Sequence, residues 1–146
     1  MQFPKIMEMT IGEGDGKRGK TEEGYRFLSK GLAQTSREQD VALCDVVIDV
    51  QDESFHGSRF VLASVSPVLK RMFLAQMKES QNRIVEVKGV SKKGFQVIWD
   101  FIYEDKYGTE EEDVALAVLK DSHFLQIDFL YHEYAEKLKG MLRLEN

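Results

Sequence analysis

Leu43-Cys44-Asp45-Val46-Val47-Ile48-Asp49-Val50 is the stretch whose reading decides the fold. Apolar side chains fall on both faces of an extended chain here, so Cys44 to Val50 is read as a largely buried strand. Gln51-Asp52 leaves room only for a short polar connection, and Ser54 to His56 returns as a second strand. Arg59 to Val65 follows as a short helix. Ser66-Pro67 then places a capping hydroxyl before a proline at the first helical position, where the missing N–H costs nothing. That helix carries Leu69, Met72 and Phe73 inward, and Ile84 to Val87 makes a third strand.

Upstream, Glycine alternates with charge from Gly12 to Gly19, and such a stretch cannot pack a core. Residues 1–20 are therefore expected to be a mobile tail, although Phe3, Ile6, Met7, Met9 and Ile11 are apolar enough to dock. A first helix should start near Thr21, with Glu22 and Glu23 matching the dipole of its first turn. Tyr25, Leu28 and Leu32 recur at i, i+3 and i+7 and share one face. That stripe has no evident place inside one compact subunit, so a partner surface is its expected home.

Downstream, Ser91 should cap a helix in which Phe95, Ile98, Trp99 and Ile102 form the clearest amphipathic stripe of the chain. Thr109-Glu110-Glu111-Glu112 reads as a capping box that opens another helix to about Lys120. Asp128 is expected to cap a last helix carrying Leu130, Tyr134 and Leu138. Tyr107-Gly108 needs nothing beyond a turn.

The 146 residues fit one domain, with 42% hydrophobic residues for a core and 31% charged residues for a surface. A net charge of −5 argues against nucleic acid as a partner, because phosphate binding needs a basic face. No apolar run of about 18 residues predicts a membrane span, and the N-terminus does not read as a signal peptide. The single Cys44 cannot form an internal disulfide, which suits a reducing compartment, cytoplasmic or nuclear.

Several short motifs resemble the BTB (POZ) domain in its order and near its spacing. They are Leu43-Cys44-Asp45-Val46, Phe55, Val61-Leu62-Ala63, Ser66-Pro67, Met72-Phe73, Ile84-Val85-Glu86-Val87, Phe101-Ile102-Tyr103 and Phe124-Leu125-Gln126-Ile127. The resemblance covers about Thr21 to Leu138, and a domain is expected over 21–140. It implies an α+β fold: a small mixed sheet flanked by a helix cluster, preceded by a dimerisation helix carrying Tyr25, Leu28 and Leu32. It also implies a homodimeric docking module rather than an enzyme, without cofactor. In some relatives an N-terminal strand pairs with the partner subunit, so residues 1–20 are a candidate for such a swap.

The family offers two roles. One is the cullin-binding substrate adaptor of a cullin-RING ubiquitin ligase, in which the apolar residue and glutamate of Met77-Lys78-Glu79, after Phe73, contact the scaffold. The alternative is the dimerising, corepressor-recruiting domain of a zinc-finger transcription factor. There an acidic residue and a basic residue, matched here by Asp45 and Arg59, form a charged pocket. Each site also has a plainer reading. Asp45 and Arg59 also fit an ordinary partly buried ion pair. Met77 also fits a cover for the core, with Glu79 solvated. No kelch, zinc-finger or ankyrin pattern follows the domain, so a longer parent protein is expected. Gly57-Ser58 stands where the family has Ala-His, which removes an imidazole and should loosen the start of the helix.

Chemistry of other kinds finds little support. Asp45, His56 and Ser66 carry the residue types of a triad, but Ser66 is accounted for as a cap and no nucleophile-elbow motif is present. His56, His123, His132 and Cys44 lack metal-ligand spacing. His123 is expected to be partly buried in a helix and His132 to lie on the polar side of the last one. Cys44, flanking a buried strand, reads as a small apolar filler rather than a reactive thiol. Glu110 to Asp113 reads as a solvated helix start, and Asp121 has no evident role.

Overall fold

The computed structural model describes residues 22–38, 43–79, 82–104 and 111–145. The expectations for residues 1–20, for Tyr107-Gly108 and for Thr109-Glu110 lie outside these residues. Strand β1 (Val46–Val50) pairs antiparallel with β2 (Glu53–Gly57) and parallel with β3 (Ile84–Glu86), giving the order β2-β1-β3. Around this sheet pack helices α1 (Glu22–Glu38), α2 (Arg59–Val65), α3 (Pro67–Glu79), α4 (Lys92–Glu104), α5 (Glu112–Phe124) and α6 (Asp128–Glu145). The architecture is α+β, with a mixed sheet of three strands among the described residues.

Val46, Ile48 and Val50 are wholly buried, while Val47 and Asp49 on the other face are only half covered. The connection to β2 is a two-residue turn in which Gln51 and Asp52 both take positive φ, 46° and 69°. Such a turn matches the twist of a hairpin. The Gln51 side chain turns this strained position to use, its Oε1 accepting the backbone N–H of Lys92 at 2.8 Å.

Ser66 behaves as its sequence position demands. Its hydroxyl accepts the Leu69 N–H at 3.1 Å and donates to the Leu125 carbonyl at 2.7 Å, tying the start of α3 to the end of α5. The α4 stripe faces inward through Phe95, Ile98 and Trp99, with Ile102 half-buried. The rings of Phe95 and Trp99 lie 4.9 and 5.2 Å from that of Phe55 on β2. Ile98, Leu62, Leu125 and Leu130 are fully buried, each contributing about 1.5–3 kcal/mol over an exposed position.

Four local expectations need correction. Helix α5 begins at Glu112, and the preceding Glu111 makes no side-chain capping bond. The helix runs past Lys120 to Phe124 because Asp121 and Ser122 are buried against its neighbours. Asp128 is the first residue of α6 rather than its cap; the Ile127 carbonyl closes the first turn by accepting the Tyr131 N–H at 3.1 Å. His123 is exposed, beside the Tyr131 ring at 5.1 Å.

Candidate interaction surfaces

One candidate surface lies at the foot of the sheet, where β1 and α2 begin. Asp45 Oδ1 accepts the backbone N–H of Arg59 at 2.8 Å. The Arg59 guanidinium turns elsewhere and donates to the Asn82 carbonyl at 3.3 Å. The two residues named as a charged pocket are thus brought together, but through the main chain. Arg83 donates to the Cys44 carbonyl and closes the other side of this region. Cys44 is buried, as a filler should be.

Tyr103, at the end of α4, supplies a second link. Its hydroxyl accepts the Ser58 N–H at 2.9 Å, just before α2. Burial pushes its phenol pKa up to about 12, opposed by that bond and assisted by nearby Cys44 and Asp45. Gly57 explains the departure from the Ala-His pattern. A Cβ there would lie 2.5 Å from Trp99 Cη2 and 2.7 Å from the Tyr103 hydroxyl. Gly57 belongs to β2 and admits these rings; the helix start beyond it is capped by Ser58, whose Oγ accepts the Val61 N–H at 3.4 Å.

A second surface is the outer face of α1. Leu32 is half-buried against the core and Ala33 is buried, which seats the helix on α4. Arg37 and Glu104 clamp the far end of this contact at 2.8 Å. Tyr25 and Leu28 remain 59% and 48% exposed, and they line an open groove with Val65, Phe101 and Ile102. Phe27 is exposed as well. The stripe therefore divides: Leu32 serves the subunit's own core, while Tyr25 and Leu28 face outward.

The third surface is the end of α3. Phe73 is buried in the core at 2% exposure, so it supports the surface from beneath and is not itself available for contact. Met77 is 60% exposed and leaves the core to others, which removes the reading of Met77 as a core cover. The Glu79 side chain lies outside the described set. Gln76 anchors the helix end by donating to the Ile84 carbonyl at 2.7 Å.

Among the described residues, no group of three or more His, Cys, Asp or Glu could hold a metal ion, and no helix is long and apolar enough to cross a membrane. Asp45, His56 and Ser66 form no relay: Asp45 is taken by the Arg59 N–H and Ser66 by Leu69 and Leu125.

A small mixed sheet clasped by helical hairpins, with exposed apolar residues on α1 and α3, describes a scaffold for contacts. The BTB/POZ domain family model matches residues 33–142. The chain belongs to the BTB/POZ family. It is a protein-interaction module of that fold. Among curated relatives, Kelch-like protein 26 of Mus musculus is 36% identical over 118 residues, 81% of this chain and 19% of its own length. Kelch-like protein 28 of Homo sapiens is 31% identical over 100 residues, 68% of this chain and 17% of its own length. The chain thus spans about a fifth of the length of these relatives. The solved BTB domain of zebrafish PATZ1 superposes with a TM-score of 0.66 at 22% identity, covering 84% of this chain and 99% of that one. It shows the same fold.

Asp121 was missed as a structural residue by sequence reasoning. Its carboxylate accepts both the N–H and the hydroxyl of Ser91, and no local pattern links positions so far apart in the chain.

Proposed function

We propose that this BTB domain is the homodimerising, cullin-binding end of a ubiquitin-ligase substrate adaptor. The observation that carries the reading is Met77. It is an apolar side chain left 60% exposed on the last turns of α3, in a chain 36% identical to a Kelch-like protein over most of its length. An unbranched, flexible thioether is a good filler for a partner's apolar pocket. Phe73 holds the helix rigidly on the core beneath it. Dimerisation through the α1 face would cover Tyr25 and Leu28. Two docking sites on one particle would then raise effective concentration without adding contacts.

The test is calorimetry with a cullin N-terminal domain. Met77→Ala and Glu79→Ala should each weaken binding about thirtyfold, the effect of losing roughly 2 kcal/mol at a hot spot. Binding indifferent to both substitutions would remove this surface from the account. No binding by the unaltered protein would favour the corepressor-recruiting role.

A further inference from the structure

The outward face of α3 joins an apolar centre to cations that the subunit does not neutralise. Leu74 is 53% exposed and Met77 60%. Around Leu74, at the spacings that make neighbours on a helix surface, stand Lys70 (i−4), Arg71 (i−3), Met77 (i+3) and Lys78 (i+4). All of these are exposed, while Val68, Leu69, Met72 and Phe73 turn the opposite face of the helix to the core.

Elsewhere Arg26, Arg37, Lys92 and Lys93 each lie within 3.3 Å of a carboxylate. Among the described residues, no ion pair or hydrogen bond engages the Lys70, Arg71 or Lys78 side chain. The helix offers them no relief of its own. Its first turn holds no acid, although the helix dipole favours one there. In a chain of net charge −5, cations gathered around an exposed leucine and methionine depart from the rest of the molecule.

We propose that this face receives a partner protein whose apolar pocket is rimmed by carboxylates. Leu74 and Met77 fill the pocket, and Lys70, Arg71 and Lys78 meet the rim. The inference rests on Met77 as a docking side chain and adds the chemistry of what it docks into. Buried apolar anchors hold such a contact, and complementary rim charges speed its formation and fix its register. The long cationic stems also cover apolar surface while their heads reach the acids. Charge selects the occupant. A second copy joined through α3 would set these cations against themselves. A nucleic acid supplies phosphates but no pocket for Leu74 and Met77, and the net charge of −5 repels both it and an anionic bilayer.

Two blocked amphipathic helical peptides serve as probes, alike in a leucine face and differing in the glutamate or lysine beside it. Amide resonances of the protein are followed by NMR during titration. The glutamate peptide should shift Leu74, Met77 and Lys78 and bind about tenfold more weakly at about 0.5 M salt than at about 0.05 M. The lysine twin should leave them in place. Arg71→Glu combined with Lys78→Glu should abolish the preference. Should that variant misfold, Arg71→Gln with Lys78→Gln removes the same charges without reversing them. Equal binding of both peptides, or shifts confined to other faces, would overturn the proposal. So would tighter binding to vesicles of anionic phospholipid than to the glutamate peptide. The cullin N-terminal domain separates this inference from the adaptor reading. The charge variant should slow its association about tenfold, whereas Met77→Ala should hasten its dissociation. A cullin domain indifferent to the charge variant would overturn the inference and leave the adaptor role standing. A cullin domain that binds no form of the protein, beside a glutamate peptide that binds as described, would overturn the adaptor role alone.

Discussion

Asp121 and Ser91 join α5 to the start of α4: the buried carboxylate accepts the Ser91 N–H at 3.0 Å and the Ser91 hydroxyl at 2.7 Å. Ser91 Oγ in turn accepts the Gly94 N–H at 3.1 Å, and Gln51 takes that of Lys92. The first turn of α4, the helix that carries Phe95, Ile98 and Trp99 into the core, is thus satisfied from several sides at once. Burial raises the Asp121 pKa above its ordinary 3.8, against the lowering effect of both Ser91 bonds and of Lys120.

A pH dependence follows. A carboxyl group with a raised folded pKa contributes stability that is fully present below the unfolded value near 3.8 and is lost as pH rises through the folded value. Asp121→Asn keeps an acceptor oxygen and removes that titration. The melting temperature of the variant should therefore gain on the unaltered protein between acid and neutral pH. A difference independent of pH, or one that shrinks toward neutrality, would contradict the assignment.

Gly94 is bound to the same group. A Cβ there would run into Asp121 Oδ2 and lie 2.9 Å from both the Ala117 carbonyl and Ser91 Oγ. Gly94→Ala should destabilise by roughly 1–3 kcal/mol through overpacking, overriding the gain of about 1 kcal/mol that alanine brings to an open helix position. In a double-mutant cycle with Asp121→Ala the two losses should add to less than their sum, because the clash with the carboxylate is gone. Urea denaturation of the four proteins measures this.

Tyr103→Phe leaves the Ser58 N–H without its acceptor, at about 1–3 kcal/mol. The phenol is raised from 10.0 to about 12, so its contribution is fully present below pH 10 and lost as pH rises through about 12. The unaltered protein should lose stability across that window, and the phenylalanine variant should lack this component. Equal denaturation midpoints for the two proteins at neutral pH would show that the bond is not made.

The elements most legible in the sequence are those whose signals are local. The end of helix α2 was readable because Ser66-Pro67 starts the next helix. The α4 stripe was readable because its period is set by one helix. What escaped was long-range. Asp121 meets Ser91 across 30 residues, and Gly57 is explained only by the rings of Trp99 and Tyr103, which arrive from another helix. Phe73, read as inward-facing from its helix, is buried as expected, and that burial takes it out of reach of a docking partner. The Asp45–Arg59 pairing was legible as proximity; that it runs through a main-chain N–H was not.

The central claim is a dimer that carries one scaffold site on each subunit. Sedimentation velocity of this protein mixed with a cullin N-terminal domain at micromolar concentration tests it most directly. The account predicts a single complex of two BTB chains and two cullin domains, reduced by Leu28→Asp to one of each, since that change puts a charge on the exposed α1 face and leaves Met77 untouched. A BTB chain that sediments as a monomer, apart from the cullin domain, would contradict it.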